Sequence, residues 1–326
     1  MGLRTVLDGM EPHFHKGGKY ERWYALYEAV DTIFYSPSST TSANAHVRDG
    51  VAMVRFLAWL ERVGPSGEVT EMEVAAHLES LRAEGEHFQG LSFPTIAGFG
   101  PNGAIIHYHP TAATNRRIKS GGMLLLDSGA QYLDGTTDIT RTLAIGQRPS
   151  AAQKRNFTRV LSGHIALATA RFPEGATGAR LDTLARQFLW QDQRDYAHGT
   201  GHGVGAFLNV HEGPQSISHR PQTVPLEPGN IQSNEPGYYE PGRYGIRIEN
   251  LVEAVPVGGA GAKPTGFLQF DTLSVCPIDT SLVDLRFVHD AHRKWLNRYH
   301  ARVRRTLSPW LDTAHKRWLT KACRSI

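Results

Sequence analysis

Apolar residues at Val47, Val51, Val54, Leu57 and Leu60 recur at three- and four-residue spacing and predict an amphipathic helix over 46–63, ended by Gly64-Pro65. Thr70 with Glu73 is a capping-box signal for a second helix that runs to about residue 84 and stops at Gly85. These two helices are expected as antiparallel neighbours. Short extended segments follow at 93–97 and 105–108, separated by the turn-forming GFGPNG. The longer runs 123–132 and 137–143 are joined through Asp134-Gly135, the strongest short-range hairpin signal in the chain. Helical patterning returns over 151–171 and about 179–191, and strands are expected at 230–234 and 244–255, flanking the turn-rich EPGYYEPGR. From 281 onward the pattern is helical around Trp295, Leu296, Tyr299, Val303 and Leu307, with Pro309 as a break. At the other end an aromatic segment over 20–35 has no assignable element, and the Ser/Thr-rich PSSTTSANA reads as a linker. No repeat of fixed period is present.

A length of 326 residues allows one large domain or two modest ones, and 40% hydrophobic with 20% charged residues is ordinary for a globular chain. The 35 basic and 31 acidic residues are mostly interspersed, and the basic stretches at 116–119 and 300–324 read as solvated faces, so no nucleic-acid partner is expected. Cys276 and Cys323 fit neither a zinc spacing nor a disulfide framework, which points to a reducing compartment, the cytoplasm. Neither a signal peptide nor a membrane span is expected.

Candidate chemistry gathers in AHGTGHGVGAFLNVHEGP, residues 197–214, where Gly199, Gly201, Gly203 and Gly205 alternate through a run that carries His198, His202 and His211. So much glycine holds no helix; it lets the backbone approach closely and leaves the imidazoles as the sizeable polar groups. One histidine is usually a satisfied or solvated side chain, but three in so short a run point to a site. Four acids also stand out: Asp127 after the apolar MLLL, Asp138 on the partner arm, Glu235 in SNEPG and Glu249 in IRIEN. A hairpin closed near Asp134-Gly135 does not set Asp127 directly opposite Asp138, though a bulge or a wider loop brings both to one face. Carboxylates among Leu, Ile and Val need cations. Arg141 and Arg247 supply part of that charge, and a network of buried ion pairs is one reading. Two arginines do not neutralise four acids, however, and with His202 the carboxylates make a ligand set for two divalent ions sharing a water or hydroxide. Oxygen-rich ligation favours manganese or cobalt, with zinc also able to bind.

The order Asp127, Asp138, His202, Glu235, Glu249 resembles the five-ligand signature of the pita-bread metallopeptidases. Within that group GPNGAIIHY, LLDSGAQYLDGTTDITRT, HGTGHGVGAFLNVHEGP, EPGYYE and GIRIEN are most similar to the cytosolic Xaa-Pro aminopeptidase branch. The resemblance runs from about Asn44 to the C-terminus and includes the extension around LQFDTLSVCPID and WLNRYHARVR. It implies an α+β pita-bread fold, a curved antiparallel sheet flanked by helices, with a lead and linker at 1–43, a catalytic domain at 44–264 and an extension of a final strand then helices at 265–326.

The activity so implied is release of the N-terminal residue from peptides with proline second, by a hydroxide bridging two divalent metals. Asp127 would bind one metal, Asp138 and Glu249 would bridge both, and His202 with Glu235 would complete the second. Glu235 would also accept the proton, His211 would bind the substrate carbonyl and the oxyanion, and His107 would hold the peptide on the proline side. His198 would support substrate from the edge of the site and Arg247 would orient Asp127, while His109 is expected as a surface histidine. Members of the branch carry two further domains ahead of the catalytic one, which help close the site and take part in dimerisation; residues 1–43 do not resemble them. Asn234 stands where relatives commonly have Asp. Two other readings compete. A prolidase-type dipeptidase is disfavoured by the phrase LNVHEGP and the His202-to-His211 spacing, and a non-catalytic pita-bread binding module is disfavoured because all five ligands are present.

Overall fold

A computed structural model describes residues 39–326, so the aromatic segment 20–35 lies outside the described residues. Helix α1 (Ser39–Val63) begins within the Ser/Thr-rich stretch that reads as a linker. The correction has a tertiary cause: Ala45 is fully buried against Ala130 and Tyr132, a contact that no local reading of Ser and Thr contains. Val54, Leu57 and Leu60 of the predicted stripe are buried. Helix α2 (Glu71–Ala83) carries the expected capping box. A buried bidentate pair, Arg82 to Asp49 at 2.8 and 3.1 Å, ties the two helices together.

Strands β1 (Ile96–Phe99), β2 (Met123–Ser128) and β3 (Ile139–Ala144) form an antiparallel sheet in that order. The strand expected at 105–108 is absent; a short 3-10 helix, Gly100–Ala104, leads instead into a turn in which Tyr108 N donates to Ile105 O. Glycine explains the difference, because the chain doubles back so closely that a Cβ on Gly98 would lie 2.7 Å from Gly103 Cα. At the hairpin tip Tyr132 pairs with Gly135, and at its base Asp127 pairs with Thr140. The same register holds on both sides of an irregular step at Gly129 and Thr137. Asp138 therefore falls two residues before Thr140, on the face that Asp127 shares, and no net bulge is needed.

The second half consists of α3 (Ala151–Ala168), β4 (Arg171–Pro173), α4 (Gly178–Trp190), β5 (Ile231–Asn234), β6 (Gly237–Glu240), β7 (Tyr244–Arg247), β8 (Asn250–Pro256) and β9 (Phe267–Thr272). Strands β5-β8-β9-β4 make one antiparallel sheet, and β6 pairs with β7 as a hairpin. The strand expected over 244–255 is thus two strands, broken at Ile248-Glu249, and the turn-rich EPGYYEPGR contains a strand of its own. The helix expected from 281 begins later, as α5 (Asp290–Leu307), followed by α6 (Thr313–Ala322). Asp279 caps a single 3-10 turn ahead of it, and Leu296, Tyr299, Val303 and Leu307 pack into the core as their spacing predicts.

Arg141 does not supply charge to the acid cluster. It follows Thr140 on β3 and so points to the opposite face, where its guanidinium donates to the carbonyls of Glu249, Cys276 and Pro277, to Asn250 Oδ1 and to Tyr299. That fully buried cation joins the two sheets to α5. No helix among the described residues is long and apolar enough to cross a membrane.

Candidate metal centre

Each of the five sequence-predicted ligands sits at the end of a strand. Asp127 is near the end of β2, Asp138 just precedes β3, Glu235 just follows β5, and Glu249 occupies the break between β7 and β8. His202 lies on a two-residue strand, Gly201–His202, that pairs with Ser216–Ile217. The glycines around it are dictated by packing: a Cβ on Gly201 would meet Ser233 O at 1.9 Å, and one on Gly203 would meet Glu212 O at 2.1 Å. Glycine here lets the histidine strand lie against β5, which delivers Glu235.

Ligand atoms of Asp138, His202 and Glu249 lie within 4.8 Å of one another. His202 Nε2 is 3.5 Å from Asp138 Oδ2 and 3.4 Å from Glu235 Oε1. Its Nδ1 faces the Gly203 carbonyl at 2.9 Å. Because that carbonyl only accepts, Nδ1 carries a proton in this pairing, and Nε2 is the ring atom turned toward the two carboxylates. That placement is the one a metal-ligating imidazole takes, with a carbonyl fixing its other nitrogen. Asp127 Oδ1 and Asp138 Oδ1 are also buried without a hydrogen-bond partner. Burial pushes the Asp138 carboxyl well above its ordinary range, with Asp127 and Glu235 adding to the effect. Burial likewise raises Glu249, reinforced by Asp138, and raises Glu235 despite His202 and Arg247. The donor set, oxygen-rich with one imidazole, fits a divalent metal pair.

Arg247 is the counter-ion the sequence suggests: its Nη2 donates to Asp127 Oδ2 at 2.6 Å, and its Nε lies 3.9 Å from Glu235 Oε2. It also donates through Nη1 to the Tyr239 hydroxyl at 2.7 Å. Tyr239 in turn meets His198 Nε2 at 2.9 Å, while His198 Nδ1 meets Gly199 O at 2.7 Å. Both ring nitrogens of His198 are therefore engaged within the protein, and burial with the nearby Arg247 pushes its pKa down to about 3. Three further contributors are not singled out by the sequence reading: Tyr239, Thr140, whose Oγ1 donates to Glu249 Oε2 at 2.7 Å, and Ser233, whose Oγ donates to Glu235 Oε1 at 3.0 Å. Alternation along β3 flags Thr140 once its pairing with Asp127 is known; for the other two no local signal exists.

The centre opens into a cavity of about 460 Å³ whose lining includes the apolar Phe93, Pro94, Ile96 and Ile106 together with His107, His109, His198 and His211. His109 is exposed, as expected, yet also lines this cavity. The His211 ring lies edge-on to His202 with centroids 4.2 Å apart. A second cavity of about 500 Å³, between α1, β3 and α6, is lined by Leu57, Leu60 and Trp318 and contains no member of the acid and histidine cluster.

Among curated proteins, the chain is 47% identical to aminopeptidase P1 of Lotus japonicus over 93% of its own length and 52% of that protein. It is 50% identical to a probable Xaa-Pro aminopeptidase P of Laccaria bicolor over 86% of its length and 44% of that protein. The chain spans about half the length of these relatives. Among solved structures, an X-prolyl aminopeptidase from Caenorhabditis elegans, described as a cytosolic enzyme with a di-nuclear active site, superposes with a TM-score of 0.82 at 42% identity, covering 88% of this chain and 47% of that one. A Xaa-Pro dipeptidase from Bacillus anthracis gives 0.65 at 27% identity, covering 77% of this chain and 65% of that one. The likeness establishes the α+β pita-bread fold. The C-terminal region of the peptidase family matches residues 266–326 and the family itself matches 42–255, so this chain belongs to metallopeptidase family M24.

Proposed function

We propose that this chain is the catalytic part of a metal-dependent Xaa-Pro aminopeptidase, with a pita-bread catalytic domain at 44–264 and a C-terminal extension at 265–326. The observation that carries the reading is the meeting of Asp127, Asp138, His202, Glu235 and Glu249 around buried, unpartnered carboxylate oxygens and the His202 Nε2 atom. These five residues would hold two divalent ions, manganese by preference, with cobalt or zinc as alternatives. Bound there, the ions supply Lewis acidity and a water of lowered pKa.

The remaining chemistry belongs to side chains. Glu235, whose pKa burial raises, accepts a proton, and Ser233 holds the carboxylate in place. His211 donates to the carbonyl oxygen of the scissile bond. Arg247 orients Asp127, and His107 contacts the peptide on its proline side. Both nitrogens of His198 are engaged, so it braces Tyr239 and Arg247 while its ring lines the cavity that would receive the substrate. The apolar lining residues Phe93, Pro94, Ile96 and Ile106 suit the prolyl ring, whose tertiary amide offers no N–H to a cleft. The two buried free cysteines are consistent with a cytoplasmic setting, and a homodimer is the assembly proposed.

Hydrolysis of an Arg-Pro-Pro peptide by the purified, manganese-loaded chain tests the reading, with metal content measured on the same sample. Free arginine and about two equivalents of metal are expected; cleavage of Xaa-Pro dipeptides with the longer peptide left intact would instead indicate a dipeptidase, and absence of bound metal a binding module. A second test uses Gly201→Ala. Its Cβ has no room against Ser233 O, so His202 must shift, and divalent-metal affinity is expected to fall roughly ten- to hundredfold by calorimetric titration. Unchanged affinity would remove the packing argument for this glycine.

A further inference from the structure

Glu71 opens α2 and is fully buried, away from the metal centre. Its carboxylate takes five hydrogen bonds. Oε1 accepts from Phe99 N at 2.7 Å and Asn102 Nδ2 at 3.0 Å, and Oε2 accepts from Asn102 Nδ2 at 3.0 Å, Tyr108 Oη at 2.8 Å and Arg116 N at 2.8 Å. All four donors belong to one segment, 99–116, which starts at the last residue of β1 and continues as a 3-10 turn and irregular chain. The first amides of α2 complete the attachment: Glu71 N donates to Arg116 O at 3.0 Å and Met72 N to Asn115 Oδ1 at 3.1 Å. A carboxylate at a helix N-terminus with this many donors needs no cation partner.

Between the anchored Asn102 and Tyr108 the same segment turns Ile106 and His107 into the cavity, and Ile106 O faces Arg247 Nη1 at 3.4 Å. No strand pairing runs through 100–116; the Glu71 carboxylate grips the chain where it leaves β1 at Phe99, at Arg116, and at Asn102 and Tyr108 between them. We infer that Glu71 is a positioning residue for substrate binding, fixing the segment on which His107 meets the peptide. The inference rests on the peptidase reading for its kinetic consequence and on the hydrogen bonds alone for its structural one.

Glu71→Gln tests it with little change in size. An amide in place of one oxygen sets an N–H₂ against either Phe99 N and Asn102 or Asn102, Tyr108 and Arg116, so donors oppose donors in both orientations. The variant is expected to keep the parent's metal content, to exchange amide hydrogens faster over 99–116, and to raise KM for a proline peptide about tenfold with kcat within about twofold. In a His107→Ala chain the same change is expected to alter KM by less than about twofold, because its route of action is already gone. An unchanged KM in the parent background, or an equal penalty in both backgrounds, overturns the inference and leaves Glu71 a purely structural residue. If Glu71→Gln does not fold, Tyr108→Phe removes a single donor and is read in the same two backgrounds, with the same outcomes deciding. A parent chain that cleaves no Xaa-Pro peptide refutes the proposed function instead; the anchoring is then judged on exchange, and unaltered protection of 99–116 in Glu71→Gln overturns it.

Discussion

Asp138→Asn is expected to yield a folded protein that binds less than one equivalent of divalent metal and cleaves an Xaa-Pro peptide at least about a thousandfold more slowly, the equivalent of roughly 4 kcal/mol of transition-state stabilisation. Asp138 is buried among His202, Glu235 and Glu249, and one of its oxygens has no hydrogen-bond partner. An amide there loses the charge that a shared ligand contributes. The same substitution is expected to raise the melting temperature of the metal-free protein, or at least not to lower it, because it removes a charge from a cluster of acids that one arginine only partly offsets. Metal titration and thermal melts on the same samples check both claims. Two equivalents of metal in the variant, or a lower melting point without metal, would count against the assignment of Asp138.

The pH dependence follows from the same cluster. Asp138, Glu235 and Glu249 have folded pKa values raised above those of the unfolded chain, where carboxyls titrate near about 4. Between the unfolded and folded values the native state binds more protons. The stability these groups contribute is therefore present below about pH 4 and is lost as pH rises through the folded values. Without metal the protein is expected to grow less stable over that rise, and saturating manganese to reverse the loss; in Asp138→Asn the decline is expected to be shallower.

How far the sequence announces this site depends on the range of each interaction. The proposed ligands are visible because an acid directly after MLLL, another inside IRIEN, and histidines inside a glycine run contradict their surroundings. Their companions are not visible, since Thr140 meets Glu249 across 109 positions and neither residue's neighbours hint at the pairing. Tyr239 is hidden for another reason: EPGYYEPGR has the composition of a turn, and only Pro241-Gly242 turns while the tyrosines before them pair as a strand. Arg141 shows that a correct local pattern can be underused. Strand alternation places it opposite Thr140 and away from the acids, and its buried partners are carbonyls that no sequence pattern marks. Glu71 is the fullest case. Next to the capping Thr70 it reads as an ordinary first-turn acid, and its importance lies in a segment that only the fold brings to it.

His211→Ala is expected to lower kcat about a hundredfold or more while leaving metal content intact, the scale for loss of one transition-state donor. The ring stands edge-on to His202 at 4.2 Å between centroids, yet it lies outside the close group formed by Asp138, His202 and Glu249. Under the proposed function it meets the bound peptide instead of a metal, from its place in the lining of the cavity. Burial, with His202 beside it, pushes its pKa down to about 4, so near neutral pH the ring is uncharged and presents one N–H. A neutral donor gains little from the ground-state carbonyl and more from the oxyanion that develops in the transition state, so the loss should fall on kcat more than on KM. Because the ring stays neutral well below pH 7, the ratio of parent to variant kcat should be constant from about pH 6 to 8. His211→Gln, which returns an N–H near the same place, is expected to recover part of the rate. An unchanged kcat in His211→Ala would take this residue out of the chemistry, and a loss of metal would make it a ligand.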